Sequence, residues 1–143
     1  METNSHHYKA IEPVPYDRKK HNVSFKNAYN GILLAFRTQP NFRFHFLFFI
    51  LFQVAAYVYS IGYVEYLILF ALSGVIFCAE MLNSAVEAIG DELSKGEYAK
   101  LIGVAKDVSA GAVLLVVLFT FAIASIVFLP KVFEAIYTLA FAY

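Results

Sequence analysis

Three long apolar stretches interrupt an otherwise polar chain of 143 residues. They cover about residues 44–60, 66–89 and 108–129. Each approaches or exceeds the roughly 20 residues that a helix needs to cross about 30 Å of hydrocarbon. The pattern therefore predicts an all-α membrane protein with three transmembrane helices. The first span is the shortest, so its helix has to continue past the apolar run at one end.

The residues before the first span have a different pattern. In the segment 24–38, Ser24 is a plausible N-cap, and apolar side chains then recur at the i, i+3, i+4, i+7 spacing of an amphipathic helix. Beside a membrane such a helix is expected to lie in the interface, and Pro40 is expected to end or kink it. Residues 1–23 read as a disordered tail, and residues 130–143 as a short interfacial tail.

The distribution of basic residues predicts the orientation of the chain. Of the eleven Lys and Arg residues, ten precede the first span or lie between the second and third, and only Lys131 follows the third. The positive-inside rule therefore places the N-terminus and the loop between spans two and three in the cytoplasm, and the C-terminus outside. The formal net charge is zero, which gives no indication of a nucleic-acid partner. The single cysteine, Cys78, excludes an intramolecular disulfide.

The second span ends in a polar sequence, AEMLNSAVEAIGD, which carries Glu80, Asn83, Glu87 and Asp91. At 100° per residue these four side chains share one helix face within about 80°. Counted from Tyr66 at about 1.5 Å per residue, Glu80 lies roughly 21 Å into the bilayer, below the cytoplasmic boundary. Glu87 and Asp91 lie near or beyond that boundary. The face is thus predicted to lead from the membrane into the cytoplasm.

These side chains suggest different chemical roles. A carboxylate within a bilayer is costly, so Glu80 is a candidate for function, and we expect it to act as a general base. Glu87 and Asp91 are better placed to bind Mg²⁺, which prefers carboxylates, waters and phosphate oxygens. Asn83 can orient or donate to a phosphate. The simpler alternative is that Glu87 and Asp91 are solvated charges at a helix end.

A second polar cluster opens the third span, in the sequence GVAKDVSAGAV. Lys106 can neutralise nucleotide phosphates, and Asp107 can hold a lysine or a metal. Taken alone, the pair also fits an ordinary membrane boundary with a snorkelling lysine. The chain has no P-loop sequence, so any nucleotide is expected to bind without one. Small residues around Ser84 and Ser109 favour close helix packing.

These two motifs, together with FKNAYNGILLAFR, NFRFH and the three-span layout, resemble the bacterial integral-membrane diacylglycerol kinase and undecaprenol kinase family. The resemblance covers roughly residues 25–129, and it assigns a lipid kinase membrane domain to residues 24–129. It implies transfer of the γ-phosphate of ATP, with Mg²⁺, to a lipid hydroxyl. It also implies a homotrimer in the bacterial cytoplasmic membrane, with active sites at subunit contacts near the cytoplasmic face.

The resemblance also implies roles for individual residues. The glutamate that matches Glu80 acts as the base on the lipid hydroxyl, and the asparagine that matches Asn83 contacts the nucleotide phosphates. The glutamate that matches Glu87 binds Mg²⁺ beside the nucleotide. The match at Lys106 meets the phosphates. Two further polar positions of the nucleotide site match Asp91 and Asp107.

One position departs from the family pattern. At the end of the surface helix the family carries a second metal-binding glutamate, and this chain has Gln39 there. A glutamine carbonyl can still bind Mg²⁺, but one negative charge is lost. This substitution motivates an alternative, a catalytically impaired membrane scaffold of the same fold.

A small ion carrier is a further alternative, although the outer half of every span is apolar and offers no continuous path. The sequence does not decide between undecaprenol and diacylglycerol as the acceptor.

Overall fold

The computed structural model describes residues 25–95, 97 and 99–141 of the chain. Its regular structure consists of four helices: α1 (Phe25–Thr38), α2 (Pro40–Val58), α3 (Tyr63–Ser94) and α4 (Lys100–Phe141). Within the described residues, α2, α3 and α4 are long and apolar enough to cross a membrane. The predicted all-helical class is confirmed, and three helices apolar enough to cross a membrane lie where the sequence predicted three spans. The predicted tail 1–23 and the predicted cap Ser24 lie outside the described residues.

A single residue, Gln39, separates α1 from α2. Its backbone is extended, with φ −100° and ψ 108°, as expected for a residue that precedes proline. Pro40 then occupies the first turn of α2, where its missing N–H would have no helical partner anyway. The proline that follows α1 therefore also starts the first span. As a result, α2 begins four residues before the apolar run at residue 44. Whether α1 lies in the membrane interface stays a prediction.

The two remaining connections are short. Between α2 and α3, Ser60 adopts a left-handed backbone with φ 47°, and the Gly62 N–H donates to the Glu65 carboxylate at 2.7 Å. Glu65 therefore caps the start of α3, where a negative charge is favourable. At the other end, Lys95 adopts the left-handed conformation that often terminates a helix.

The central element is α3, which contacts each of the other three helices and packs most extensively on α4. Among the described residues, few apolar side chains are buried: they are Ala35, Phe42, Ala56, Leu69, Ile76, Val113 and Ala124. Most large apolar side chains of the three spans are exposed. Such extensive apolar exposure is untypical of a soluble monomer, and it is expected where lipid or another subunit covers the helices.

Aromatic side chains fix α2 against its neighbours. The ring of Phe77 on α3 is surrounded by Phe42, Phe46 and Phe49 of α2, at centroid distances of 5.3, 6.2 and 5.7 Å. Towards the other end of α2, Phe52 stacks on Phe128 of α4. Each such pair contributes about 0.5–1.5 kcal/mol beyond the apolar area that it buries. These contacts hold the first turn of α2 beside the polar end of α3.

The longest helix, α4, exceeds the predicted span 108–129 at both ends. It starts at Lys100, so that Lys106 and Asp107 lie inside the helix. It also continues through Pro130 to Phe141, where the sequence had suggested a stop. Proline cannot donate to the carbonyl four residues earlier, but the turns on both sides keep their own bonds. An interfacial position for residues 130–143 stays a prediction.

The reactivity of Cys78 tests whether α3 spans the membrane. Cys78 is exposed on the surface of α3 within its apolar stretch. Because a thiol reacts as the thiolate, which forms in water, we expect a charged thiol reagent to modify it at least about tenfold more slowly than an aqueous cysteine. The measurement is the modification rate in reconstituted vesicles. The control is Glu97→Cys in a Cys78→Ala background, because Glu97 is exposed between α3 and α4. Equal rates at the two positions contradict the assignment.

Candidate functional site

The predicted polar face of α3 begins deep in the protein and ends at its surface. Glu80 is 2% exposed and Asn83 is 4% exposed. Glu87 is half-buried, and Asp91 is exposed. The neighbouring helices cover the first two side chains, and an uncovered carboxylate would be costly at this depth. The face therefore connects an interior carboxylate to an exposed one over three helical turns.

Asn83 is the centre of a hydrogen-bonded group that joins α3 to α4. Its side-chain amide donates to Glu87 Oε1 at 3.0 Å. Its carbonyl oxygen accepts from the Ser109 hydroxyl at 2.6 Å. That hydroxyl also lies 2.9 Å from the Lys106 carbonyl, and its single proton can serve one acceptor at a time. The asparagine orientation is thus fixed from both sides, which leaves the second oxygen of Glu87 available for another ligand.

The Glu80 carboxyl group is covered from the start of α2. The Asn41 side chain, in the first turn of α2, forms a hydrogen bond with this carboxyl group. Glu87 lies close enough for the two carboxylates to repel each other. One helical turn further along α3, the Ser84 hydroxyl donates to the Glu80 carbonyl at 2.9 Å. The carboxyl group is therefore oriented by Asn41, and a cation or a proton near the pair would relieve the repulsion.

At the exposed end of the face, the Lys106 ammonium forms an ion pair with the Asp91 carboxylate. This contact brings the two motifs of the sequence together, because Asp91 belongs to α3 and Lys106 to α4. Asp107 behaves differently. Its side chain is exposed and makes no hydrogen bond or ion pair with the described part of the chain. The nucleotide role of Asp107 stays a prediction.

Gln39 lies beside α3 in a groove that α1 partly covers. The groove holds about 240 Å³, and Gln39 lines it together with Ser84 and Ala88. The Gln39 side chain does not cap α2. Within residues 25–95, 97 and 99–141, no three His, Cys, Asp or Glu side chains gather into a metal-binding group. Carboxylate and amide oxygens are both ligands that Mg²⁺ accepts beside phosphates and water, and a shared Mg²⁺ site of Glu87 and Gln39 stays a prediction.

An apolar cavity of about 260 Å³ lies one helical turn before Glu80 along α3, at Ile76 and Phe77. Its walls come from α2, α3 and α4, and include Phe48, Phe49, Phe52, Ile76, Phe77 and Phe121. The His45 imidazole and two hydroxyls also line it, and the hydroxyls of Ser73 and Thr120 both donate to carbonyls of their own helices. The cavity therefore offers an apolar surface rich in aromatic rings.

Two residues of this site were not identified from the sequence. Asn41 was noted only as part of a segment, and Ser109 only as a small packing residue. A polar residue in the first turn of a span is one possible signal for Asn41. The spacing of Ser109, three residues after Lys106, places both on one side of α4. Neither signal indicates a partner, because the partner depends on how the helices cross.

Comparisons with known proteins identify relatives of this chain. A family model described as prokaryotic diacylglycerol kinase matches residues 26–128, which include both polar motifs. An undecaprenol kinase of Bacillus subtilis (strain 168) is 34% identical over 108 residues, which cover 76% of this chain and 87% of the relative. A diacylglycerol kinase of Synechocystis sp. is 33% identical over 108 residues, which cover 76% of this chain and 62% of the relative.

The bond between Ser109 and Asn83 can be tested by its effect on stability. We expect Ser109→Ala to lower the free energy of unfolding by about 1–3 kcal/mol, because it leaves a buried carbonyl oxygen without its donor. The measurement is unfolding of the purified protein in detergent. The control is Ser125→Ala, since the Ser125 hydroxyl donates only within its own helix, to the Phe121 carbonyl. An equal loss of unfolding free energy in both variants contradicts a stabilising role for the bond between Ser109 and Asn83.

Proposed function

Because the chain belongs to the prokaryotic diacylglycerol kinase family, we propose that it transfers the γ-phosphate of MgATP to the hydroxyl of a membrane lipid alcohol. One observation carries this proposal. The buried Glu80 carboxyl group lies between an apolar cavity on one side and a polar face that leads to the protein surface on the other. A lipid hydroxyl and a water-soluble nucleotide can both reach such a position.

The polar face provides what phosphoryl transfer requires, which is positioning and neutralisation of charge. Glu87 binds the Mg²⁺ ion that accompanies ATP, and Gln39 adds a carbonyl oxygen. Asn83 orients Glu87 and donates towards the phosphates. Lys106 neutralises phosphate charge. The bond from Asn83 to one oxygen of Glu87 supports this assignment, since it leaves the other oxygen available to a divalent cation.

Glu80 acts as the general base in this proposal. The lipid oxygen attacks the γ-phosphorus while its proton passes to the Glu80 carboxylate, and the bond from the γ-phosphorus to the bridging oxygen breaks to release ADP. The hydrogen bond from Asn41 keeps the carboxylate directed at the hydroxyl. The apolar surroundings exclude water, which would otherwise compete as an acceptor of the phosphoryl group.

We assign undecaprenol, or a similar polyprenol, as the preferred acceptor over diacylglycerol. At about 260 Å³, the apolar cavity suits one hydrocarbon chain better than two. Its aromatic walls suit the flat, unsaturated units of a polyprenol. The relative named undecaprenol kinase matches this chain over 87% of its own length, which supports the same assignment.

The remaining parts of the proposal concern the assembly. The N-terminus and the exposed end of the polar face lie on the cytoplasmic side of a bacterial membrane, and the C-terminus lies outside. The active form is a homotrimer. Support for an oligomer comes from the large exposed apolar area of the spans, part of which other subunits would cover.

Replacement of the proposed base tests the reaction. We expect Glu80→Gln to reduce transfer of labelled phosphate from MgATP to lipid by about 10²–10⁴-fold. The glutamine side chain keeps the shape of glutamate but cannot accept the proton. The assay uses purified protein in mixed micelles. Glu92→Gln is the matched control, since Glu92 is exposed on the same helix, and it should retain full activity. Full turnover in Glu80→Gln is incompatible with a role as base.

The acceptor is tested by competition. With undecaprenol and a diacylglycerol at equal mole fractions in one micelle, we expect most of the label in the polyprenol. We also expect Ser73→Leu, which fills the cavity, to raise the KM for undecaprenol and to leave the KM for MgATP unchanged. A preference for diacylglycerol in both the native chain and Ser73→Leu would refute the assignment of the cavity.

Gln39 gives a specific reason to test the second candidate, a scaffold without activity. In that case neither lipid is labelled by the native chain. Recovery of transfer in Gln39→Glu would then identify the missing charge as the cause. Transfer by the native chain excludes the scaffold and shows that a carbonyl oxygen suffices at this position.

A further inference from the structure

Helices α3 and α4 pack tightly at Gly90, beside the polar face. A methyl group on Gly90 would lie 2.9 Å from Cγ2 of Ile102 and 3.0 Å from Cε of Lys106. Carbon atoms do not pack this closely, so any larger residue would displace one of these side chains. Gly90 is itself buried. The aliphatic part of Lys106 therefore passes directly over Gly90 and occupies the space that a side chain would otherwise fill.

The Lys106 side chain ends at Asp91, the residue that follows Gly90. The Lys106 ammonium pairs with the Asp91 carboxylate, and the two side chains are 31% and 61% exposed. Within the described residues, Asp91 is the only acid that pairs with Lys106. The lysine is thus held along its length by Gly90 and at its end by Asp91.

The backbone of Lys106 lies next to the hydrogen-bonded group of Asn83 and Ser109. The Ser109 hydroxyl lies within hydrogen-bonding distance of both the Lys106 carbonyl and the Asn83 side chain. Lys106 therefore starts beside the group that orients Glu87. A lysine side chain is long and flexible, and its ordering on binding a ligand costs conformational entropy. A lysine that is already held in place avoids much of that cost.

We propose that Asp91 and Gly90 are positioning residues for Lys106. Gly90 leaves the space in which the lysine stem lies, and Asp91 holds the ammonium where the phosphates of the nucleotide arrive. Asp91 then affects nucleotide binding through Lys106, and is not itself a ligand of the metal or the nucleotide. This inference rests on the proposed function, because it assigns the phosphates of MgATP to Lys106.

A double-mutant cycle separates positioning from direct binding. The variants are Asp91→Asn, Lys106→Met and their combination, and the quantity is the dissociation constant for Mg²⁺ with a non-hydrolysable ATP analogue. Because exposed ion pairs are weak, we expect Asp91→Asn alone to weaken binding by about three- to fivefold. In the Lys106→Met background the same change should have no further effect. The KM for the lipid should be unaffected in every variant.

Gly90→Ala tests the space for the lysine stem. We expect it to raise the dissociation constant for the analogue in the same direction as Asp91→Asn, since the added methyl displaces Lys106 or Ile102. The control is Gly103→Ala on α4, because nothing lies within 4 Å of a methyl group at that position. Thermal unfolding of both variants identifies a loss that comes from misfolding. Unchanged nucleotide binding in a folded Gly90→Ala variant contradicts the role of Gly90.

A measurement without nucleotide tests the resting contact on its own. We expect reductive methylation of Lys106 to be faster in Asp91→Asn than in the native chain, with Lys131 as the internal control. Equal methylation rates of Lys106 in Asp91→Asn and in the native chain overturn the proposal. So does an equal loss of nucleotide affinity from Asp91→Asn in both backgrounds, which would make Asp91 a direct ligand. Absence of nucleotide binding by the native chain, with faster methylation in Asp91→Asn, would instead refute the proposed function.

Discussion

A carboxylate inside an apolar layer has to be covered by protein, and the position of Glu80 imposes this constraint on the rest of the structure. The constraint explains why α2 starts at Pro40, ahead of its apolar run, since that extension brings Asn41 to the Glu80 carboxyl group. It also explains why the phenylalanines of α2 gather around Phe77, one turn from Glu80. The apolar packing of α2 and the hydrogen bond from its first turn therefore serve the same side chain.

The other half of the polar face depends on the contact between α3 and α4. Asn83 donates one amide N–H to Glu87 within α3 and accepts from Ser109 of α4, and its second N–H can serve another acceptor. Lys106, from the same turn of α4, reaches back to Asp91. In a transfer reaction at this place, the nucleotide would bind between α3 and α4, and the lipid would bind in the cavity between α2, α3 and α4. Because α3 contributes to both, small changes in its packing are expected to affect both substrates.

The general plan of this protein was predictable from its sequence, and particular contacts were not. Hydropathy and helical periodicity sufficed to find three spans and to place Glu80, Asn83 and Glu87 on one face, because both features are local properties of a helix. Asn41, Ser109 and Gly90 were missed because their importance depends on which residues of another helix they meet. The continuation of α4 through Pro130 was missed for a related reason, since packing and neighbouring bonds outweigh the local preference of proline.

The most direct test of the account is the distance between the bound nucleotide's metal ion and a known point on α3. Cys78, the single cysteine, can carry a nitroxide spin label, and Mn²⁺ can replace Mg²⁺ beside a non-hydrolysable ATP analogue. Glu87 is nine residues from Cys78, which corresponds to roughly 14 Å along the helix axis. A label on Tyr63→Cys in a Cys78→Ala background lies roughly 36 Å from Glu87. If the pulsed EPR distance from the metal ion to Cys78 is shorter than the distance to position 63, the result supports a nucleotide site on the polar face of α3. Equal distances, or a shorter distance to position 63, contradict it.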